Sequence, residues 1–231
     1  MNKEIIEILK ALNPVSIFLY GSQATKTQNR KSDYEIGIIF CDDFYIHRNE
    51  IKKKICDNNY NVFPFKLSEI QNYTIDTPFQ KNIYIASLIN GNAKTIYGKK
   101  IIENLTIPKI SKQDLLMDTS FNLGYALSAV RLMKENQTAL ANEFLYKSMF
   151  YATRNLIYCK HKTLLSGYSN IFEAAKTLDL PEDYKKLLEE CYKLRNEELT
   201  QVDTSLFFKN ISYINKLVIP TITNSELTKN L

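Results

Sequence analysis

Gly21-Ser22 ends one apolar run, and Asp33-x-Glu35, after ten intervening residues, opens another. These residue types suit chemistry on a phosphorylated ligand. A Gly at a strand-to-helix turn lets backbone N–H groups approach phosphate oxygens, and a neighbouring hydroxyl can donate a further hydrogen bond. Two carboxylates offer the hard oxygen ligands that a divalent cation takes. Two such groups about 4 Å apart repel by roughly 4 kcal/mol at an effective dielectric of about 20, so an adjacent pair on one strand face calls for a cation. A Gly-Ser or an Asp-x-Glu alone means little; their order and spacing between two apolar runs make the signal specific.

The elements that must hold these residues are legible around them. Val15 to Tyr20 is a β-branched and aromatic run stopped by Gly21, and Tyr34 to Phe40 is a second. Alternation puts Asp33 and Glu35 on one face of the second strand and Tyr34, Ile36, Ile38 and Phe40 on the other, so one face is expected to be charged and the other apolar. Ile5, Ile8, Leu9 and Leu12 predict a first helix that Asn13-Pro14 ends. Phe44, Arg48, Ile51 and Ile55 predict another, with Lys52, Lys53 and Lys54 on a solvated face. Tyr60 to Lys66 reads as a third strand, and Pro64 marks it as an edge strand or a strand end. A turn-rich segment to Thr77-Pro78, a helix from Phe79 to Ile89 capped by Asn90-Gly91-Asn92, and a short strand at Thr95 to Tyr97 complete this half. After Ile107-Pro108 the periodicity is helical: Ser111 and Asp114 form a capping pair, and Phe144, Leu145, Ser148, Met149, Ala152, Leu156 and Cys159 make a buried stripe ending at Ser166-Gly167. Further helices are expected at Ile171 to Leu178, from Leu180-Pro181 to Leu199, and over Leu206 to Val218, with Pro220 closing the bundle. The fold class is α+β: a small mixed sheet flanked by helices over residues 1–108, then a helical bundle over 109–231.

The Gly-Ser, ten-residue, Asp-x-Glu pattern resembles the signature of the DNA polymerase β-like nucleotidyltransferase superfamily, over about the first hundred residues, and is similar to its minimal and kanamycin-nucleotidyltransferase-like branches. The resemblance implies that Gly21 and Ser22 hold the triphosphate of a nucleoside triphosphate and that Asp33 and Glu35 ligate Mg2+. It implies transfer of a nucleoside monophosphate, AMP from ATP, to a hydroxyl acceptor with release of pyrophosphate. Most members carry Asp-x-Asp; Glu35 remains an oxygen ligand with one more methylene. Many minimal members have Arg where this chain has Thr25, leaving Lys26, Arg30 or Lys31 as the phosphate-facing cation. Family members add a third acid on the next central strand, yet Tyr60 to Lys66 contains none; Asp57 precedes that run and Glu69 follows it. In kanamycin-modifying relatives the base comes from the helical domain, which makes Asp114 and, as the chosen candidate base, Asp118 substitutes.

The helical half resembles, in helix order and texture, HEPN-type domains and the substrate-binding half of kanamycin nucleotidyltransferase. Arg154 and His161 have the spacing of a HEPN ribonuclease motif, but the later Arg195-Asn196 fits the family position and no His follows it. These two are therefore expected to be surface or interface residues of a bundle without ribonuclease activity. The acceptor is expected to be an aminoglycoside-like small molecule or a protein hydroxyl. Glu182, Asp183, Glu189, Glu190, Glu197 and Glu198 could form an acidic pocket for the former, although solvated helix charge is the plainer account. The alternative class is a catalytically degenerate nucleotide-binding or antitoxin-like partner.

Composition bounds these readings. A chain of 231 residues with 45% apolar content supports packed cores, and a formal charge of +5 suits a polyphosphate without demanding nucleic acid. Four scattered cysteines and two histidines form no zinc or disulfide spacing. No membrane partner is expected, a cytoplasmic location is the default, and the antibiotic-modifying resemblance raises a homodimer.

Overall fold

In the computed structural model, which describes residues 2–26, 28, 32–75, 80–91 and 93–227, the chain divides into a first unit, Met1–Pro108, and a second, Lys109–Leu231. The first runs α1 (Lys3–Lys10), β1 (Ser16–Tyr20), α2 (Gly21–Thr25), β2 (Tyr34–Phe40), α3 (Arg48–Ile55), β3 (Tyr60–Lys66), α4 (Leu67–Gln71), α5 (Lys81–Asn90) and β4 (Lys94–Gly98), followed by a 3-10 turn, Ile102–Asn104. The strands form one mixed sheet in the order β3-β2-β1-β4. β1 is antiparallel to β2 and to β4, whereas β2 and β3 are parallel and joined through α3. That crossover is what a parallel pair needs.

Two apolar layers hold the sheet. On one side Ile5 and Leu9 of α1 and Ile51 and Ile55 of α3 pack with Ile36, Ile38, Phe40 and Val62. On the other, Phe18, Ile39 and Phe65 pack with Ile70 of α4 and Ile85 and Leu88 of α5. The expectation of one charged and one apolar face of β2 is therefore corrected. Beyond Glu35 the carboxylate face continues with Gly37 and a fully buried Ile39, because α4 and α5 cover it. A Cβ on Gly37 would come within 2.0 Å of the Phe18 ring, so only the bare backbone lets that ring cross β2. Charge is confined to the first residues of the strand. β3 lies at the edge of the sheet rather than in its centre, consistent with Pro64 inside it.

The second unit is α6 (Lys112–Lys134), α7 (Thr138–His161), α8 (Tyr168–Lys176), α9 (Glu182–Arg195), α10 (Ser205–Tyr213), a π-helical turn (Ile214–Val218) and α11 (Ile219–Thr223). Ser111 and Asp114 form the capping box of α6, each side chain accepting from the other's backbone N–H. Helix ends differ from the pattern read in the sequence. α7 stops at Lys162, which takes the left-handed conformation (φ 57°), and Gly167 (φ 84°) instead starts α8. α9 stops at Arg195, before a left-handed Glu197 (φ 62°). Pro220 does not close the bundle but sits in the first turn of α11. The π-helical turn before it alters the hydrogen-bond ladder where a proline lacking its N–H would otherwise break an α-helix. Among the described residues no helix is long and apolar enough to cross a membrane.

Candidate functional site

Tyr20, at the buried end of β1, is the antiparallel partner of Glu35 on β2. The next residue, Gly21, has φ 70° and turns the chain into α2. This short helix is tied internally by Thr25 Oγ1, which reaches the carbonyls of Gly21 and Ser22 at 3.2 Å, and by the Lys26 N–H, which donates to Ser22 O. A Cβ on Gly21 would lie 1.7 Å from Glu35 Oε2, so the carboxylate rests directly on the glycine turn. Gly21→Ala is expected to cost about 1–2 kcal/mol for the left-handed backbone and about 1–3 kcal/mol for the overlap. Urea unfolding checks it: the loss should shrink in a Glu35→Ala background, and equal losses in both backgrounds would contradict this contact.

Asp33 stands just before β2. Asn61 on β3, the register partner of Glu35, donates from Nδ2 to Asp33 Oδ2. Arg48, the first residue of α3, reaches the edge of β3, where its Nη2 donates to Asn61 Oδ1 at 3.3 Å and its Nε to Val62 O at 3.0 Å. Its guanidinium carbon lies 4.2 Å from the Phe63 ring centroid. The β3 face that was expected to carry a third acid thus bears Asn61 and Phe63, and a half-buried guanidinium beside them. Sequence reasoning took Arg48 for a helix-pattern residue and missed this. The available signal was an Arg at a helix start facing a strand of Asn, Phe and Pro.

Two phenols back the carboxylates. Tyr84 donates to Tyr20 at 3.3 Å, and burial raises both well above the usual phenol range. Glu35 pushes each further up, while Arg48 pulls each down, so the carboxylate and the guanidinium act on the same buried pair. Tyr20 and Tyr84 therefore stay neutral hydroxyls at the foot of the site.

The other expected residues fall elsewhere. Lys26 caps the C-terminus of α2 in the left-handed conformation and is exposed. Lys31 and Arg30 lie outside the described residues. Asp57 accepts from Asn59 N in the turn before β3, and Glu69 accepts from Lys66 N beyond its far end. From Asn61 to Lys66 is about 16 Å at the usual strand rise, too far for Glu69 to join the pair. In the second unit Asp114 is the capping partner of Ser111. Asp118, expected as a candidate base, is buried, and its Oδ2 accepts from Asn122 Nδ2 at 3.0 Å, Arg154 Nη2 at 2.9 Å and Asn155 Nδ2 at 2.9 Å. Arg154 is accordingly buried, not a surface residue, while His161 is exposed at the end of α7. Of the acidic set on α9, Glu182 pairs with Lys185 and Glu189 with Lys193, as solvated helix charge does.

The pair Asp33 and Glu35 fits a hard divalent cation. Among the described residues no group of three or more His, Cys, Asp or Glu gathers to cage a metal. Mg2+ does not need one, because it is commonly held by one or two carboxylates with water and substrate phosphates filling its remaining positions.

Comparison with known proteins bears on the fold and on the family of the first unit. Residues 3–99 match the family model described as "Polymerase beta, Nucleotidyltransferase". No curated protein matches the chain. Among solved structures, spectinomycin adenyltransferase AAD(9) from Enterococcus faecialis, determined with ATP and spectinomycin, is similar at 12% identity and a TM-score of 0.62, covering 97% of this chain and 100% of that one. At that identity the likeness speaks for the fold, a mixed sheet with helices followed by a helical region. The matched residues 3–99 contain the glycine turn, both carboxylates, Arg48 and Asn61, and the first unit belongs to the DNA polymerase β-like nucleotidyltransferase superfamily.

Proposed function

We propose that the protein transfers AMP from ATP to a hydroxyl acceptor, with release of pyrophosphate. The observation that carries this reading is the contact of Glu35 with the Gly21 turn, with Asp33 on the same side of the sheet through Asn61. The turn offers Ser22 and backbone N–H groups to phosphate oxygens. Asp33 and Glu35 would hold Mg2+, which neutralises charge on the transferred phosphate and aligns it with the attacking oxygen. Tyr20 and Tyr84, kept neutral by burial, add no negative charge behind the carboxylates. The acceptor is a small polyol or aminoglycoside-like molecule, in keeping with the ligand named for the structurally similar adenyltransferase.

The test is label transfer. The protein is incubated with α-labelled ATP, GTP, CTP or UTP, Mg2+, and in turn an aminoglycoside panel and a cell extract, beside Asp33→Ala. Label transfer from ATP that depends on Asp33, with matching pyrophosphate release, is the expected result. Nucleotide binding without transfer to any acceptor would move the assignment to a degenerate nucleotide-binding partner.

A further inference from the structure

Arg48 is held by three separate contacts, and none of them is a carboxylate. Its Nε donates to the edge carbonyl of Val62, one Nη2 hydrogen goes to Asn61 Oδ1, and the guanidinium lies over Phe63. An arginine has five N–H donors, and the other three have no acceptor among the described residues. The fork is thus fixed in position with most of its donors unspent. Asn61 is the link to the carboxylate pair, since its oxygen accepts from Arg48 and its nitrogen donates to Asp33. The amide matters chemically. An Asp at this position would form an ion pair with Arg48 and place a third negative charge beside Glu35; Asn orients the guanidinium without neutralising it.

We infer that Arg48 is a phosphate-binding residue of the nucleotide site, a fixed cation on the β3 side of the Asp33 and Glu35 pair that takes oxygens of the ATP polyphosphate. This deepens the nucleotidyltransferase reading and rests on it. Planar guanidinium donors match phosphate oxygens two at a time, and an arginine already immobilised loses little entropy on binding. The opposing pulls of Glu35 and Arg48 on Tyr20 and Tyr84 agree with a positive group close to the carboxylates rather than one turned out to solvent. Capping the open edge of β3 is the structural alternative, and it would not depend on the ligand's phosphates.

The experiment is equilibrium binding of ATP and of adenosine, with Mg2+ and with chelator, to wild type, Arg48→Gln and Arg48→Lys. Gln keeps a donor for Asn61 and removes the charge; Lys keeps the charge and loses the fork. Loss of charge-assisted contacts is expected to weaken ATP binding by about 10- to 100-fold in Arg48→Gln, in both metal conditions. Adenosine binding should be unchanged, and Arg48→Lys should fall between. Equal weakening of ATP and adenosine, or no weakening of either, would overturn the assignment and leave Arg48 as an edge cap. If the wild type binds no nucleoside triphosphate, the nucleotidyltransferase reading falls and this one with it; if it binds ATP and Arg48→Gln binds it equally well, this inference falls alone.

Discussion

Asp33→Asn and Glu35→Gln are each expected to slow AMP transfer by about 10³-fold at saturating ATP and Mg2+, the effect of losing several kcal/mol of transition-state charge stabilisation. Both changes are nearly isosteric, so the site keeps its shape. The amide oxygen at position 33 can still accept from Asn61 Nδ2, and a Gln at 35 can still lie on Gly21. Stability should not fall with activity. Two carboxylates two residues apart on a strand stand about 6.6 Å apart and repel by about 2–3 kcal/mol at an effective dielectric of 20. Both are partly exposed, so screening reduces the gain from neutralising one to about 1 kcal/mol or less. The checks are pyrophosphate release and urea unfolding in chelator. A site built for a cation gives lost transfer with equal or higher stability. Parallel loss of both, or unchanged transfer, would mean that the pair is structural.

The placement of Asp33 and Glu35 on one side of β2 was legible because its geometry is local. Alternation along β2 fixes the faces, and the run before Gly21 fixes the strand that delivers the turn. The same logic failed where the partner is distant in sequence. Arg48 reads as a helix residue until β3 is placed beside it, and Asn61 reads as a missing acid rather than a bridge. The face of β2 beyond Glu35 was misread because α4 lay in a stretch dominated by turn residues, and its burial of Ile70 against the sheet is a tertiary fact. Helix ends were overrun for a related reason. Lys162 and Glu197 adopt left-handed caps that Gly usually marks, and neither residue type announces one.

Asp118 shows the same limit in the second unit, since a carboxylate on a helix looks alike in sequence whether it is solvated, catalytic or buried. The clue lay on its partner helix, where Thr153-Arg154-Asn155 interrupts an apolar stripe with three polar residues, all buried. Arg154 and Asn155 meet Asp118 across α6 and α7, and Asn155 also donates to Thr119 Oγ1 at 2.9 Å. Removing one member of a buried ion pair takes away the opposite charge that offsets the burial of the other. Asp118→Ala is therefore expected to destabilise the protein by about 3–5 kcal/mol, and Arg154→Ala by a similar amount. The Asp118→Ala/Arg154→Ala double variant should lose much less than the sum, because it removes both charges together. Urea unfolding of the four proteins measures the coupling. Additive losses would show that the pair is not the source of the effect. Unchanged stability in Asp118→Ala, with transfer lost, would return Asp118 to the role of base. The three donors converging on one buried oxygen argue for the anchor, since that oxygen carries the tie between two helices.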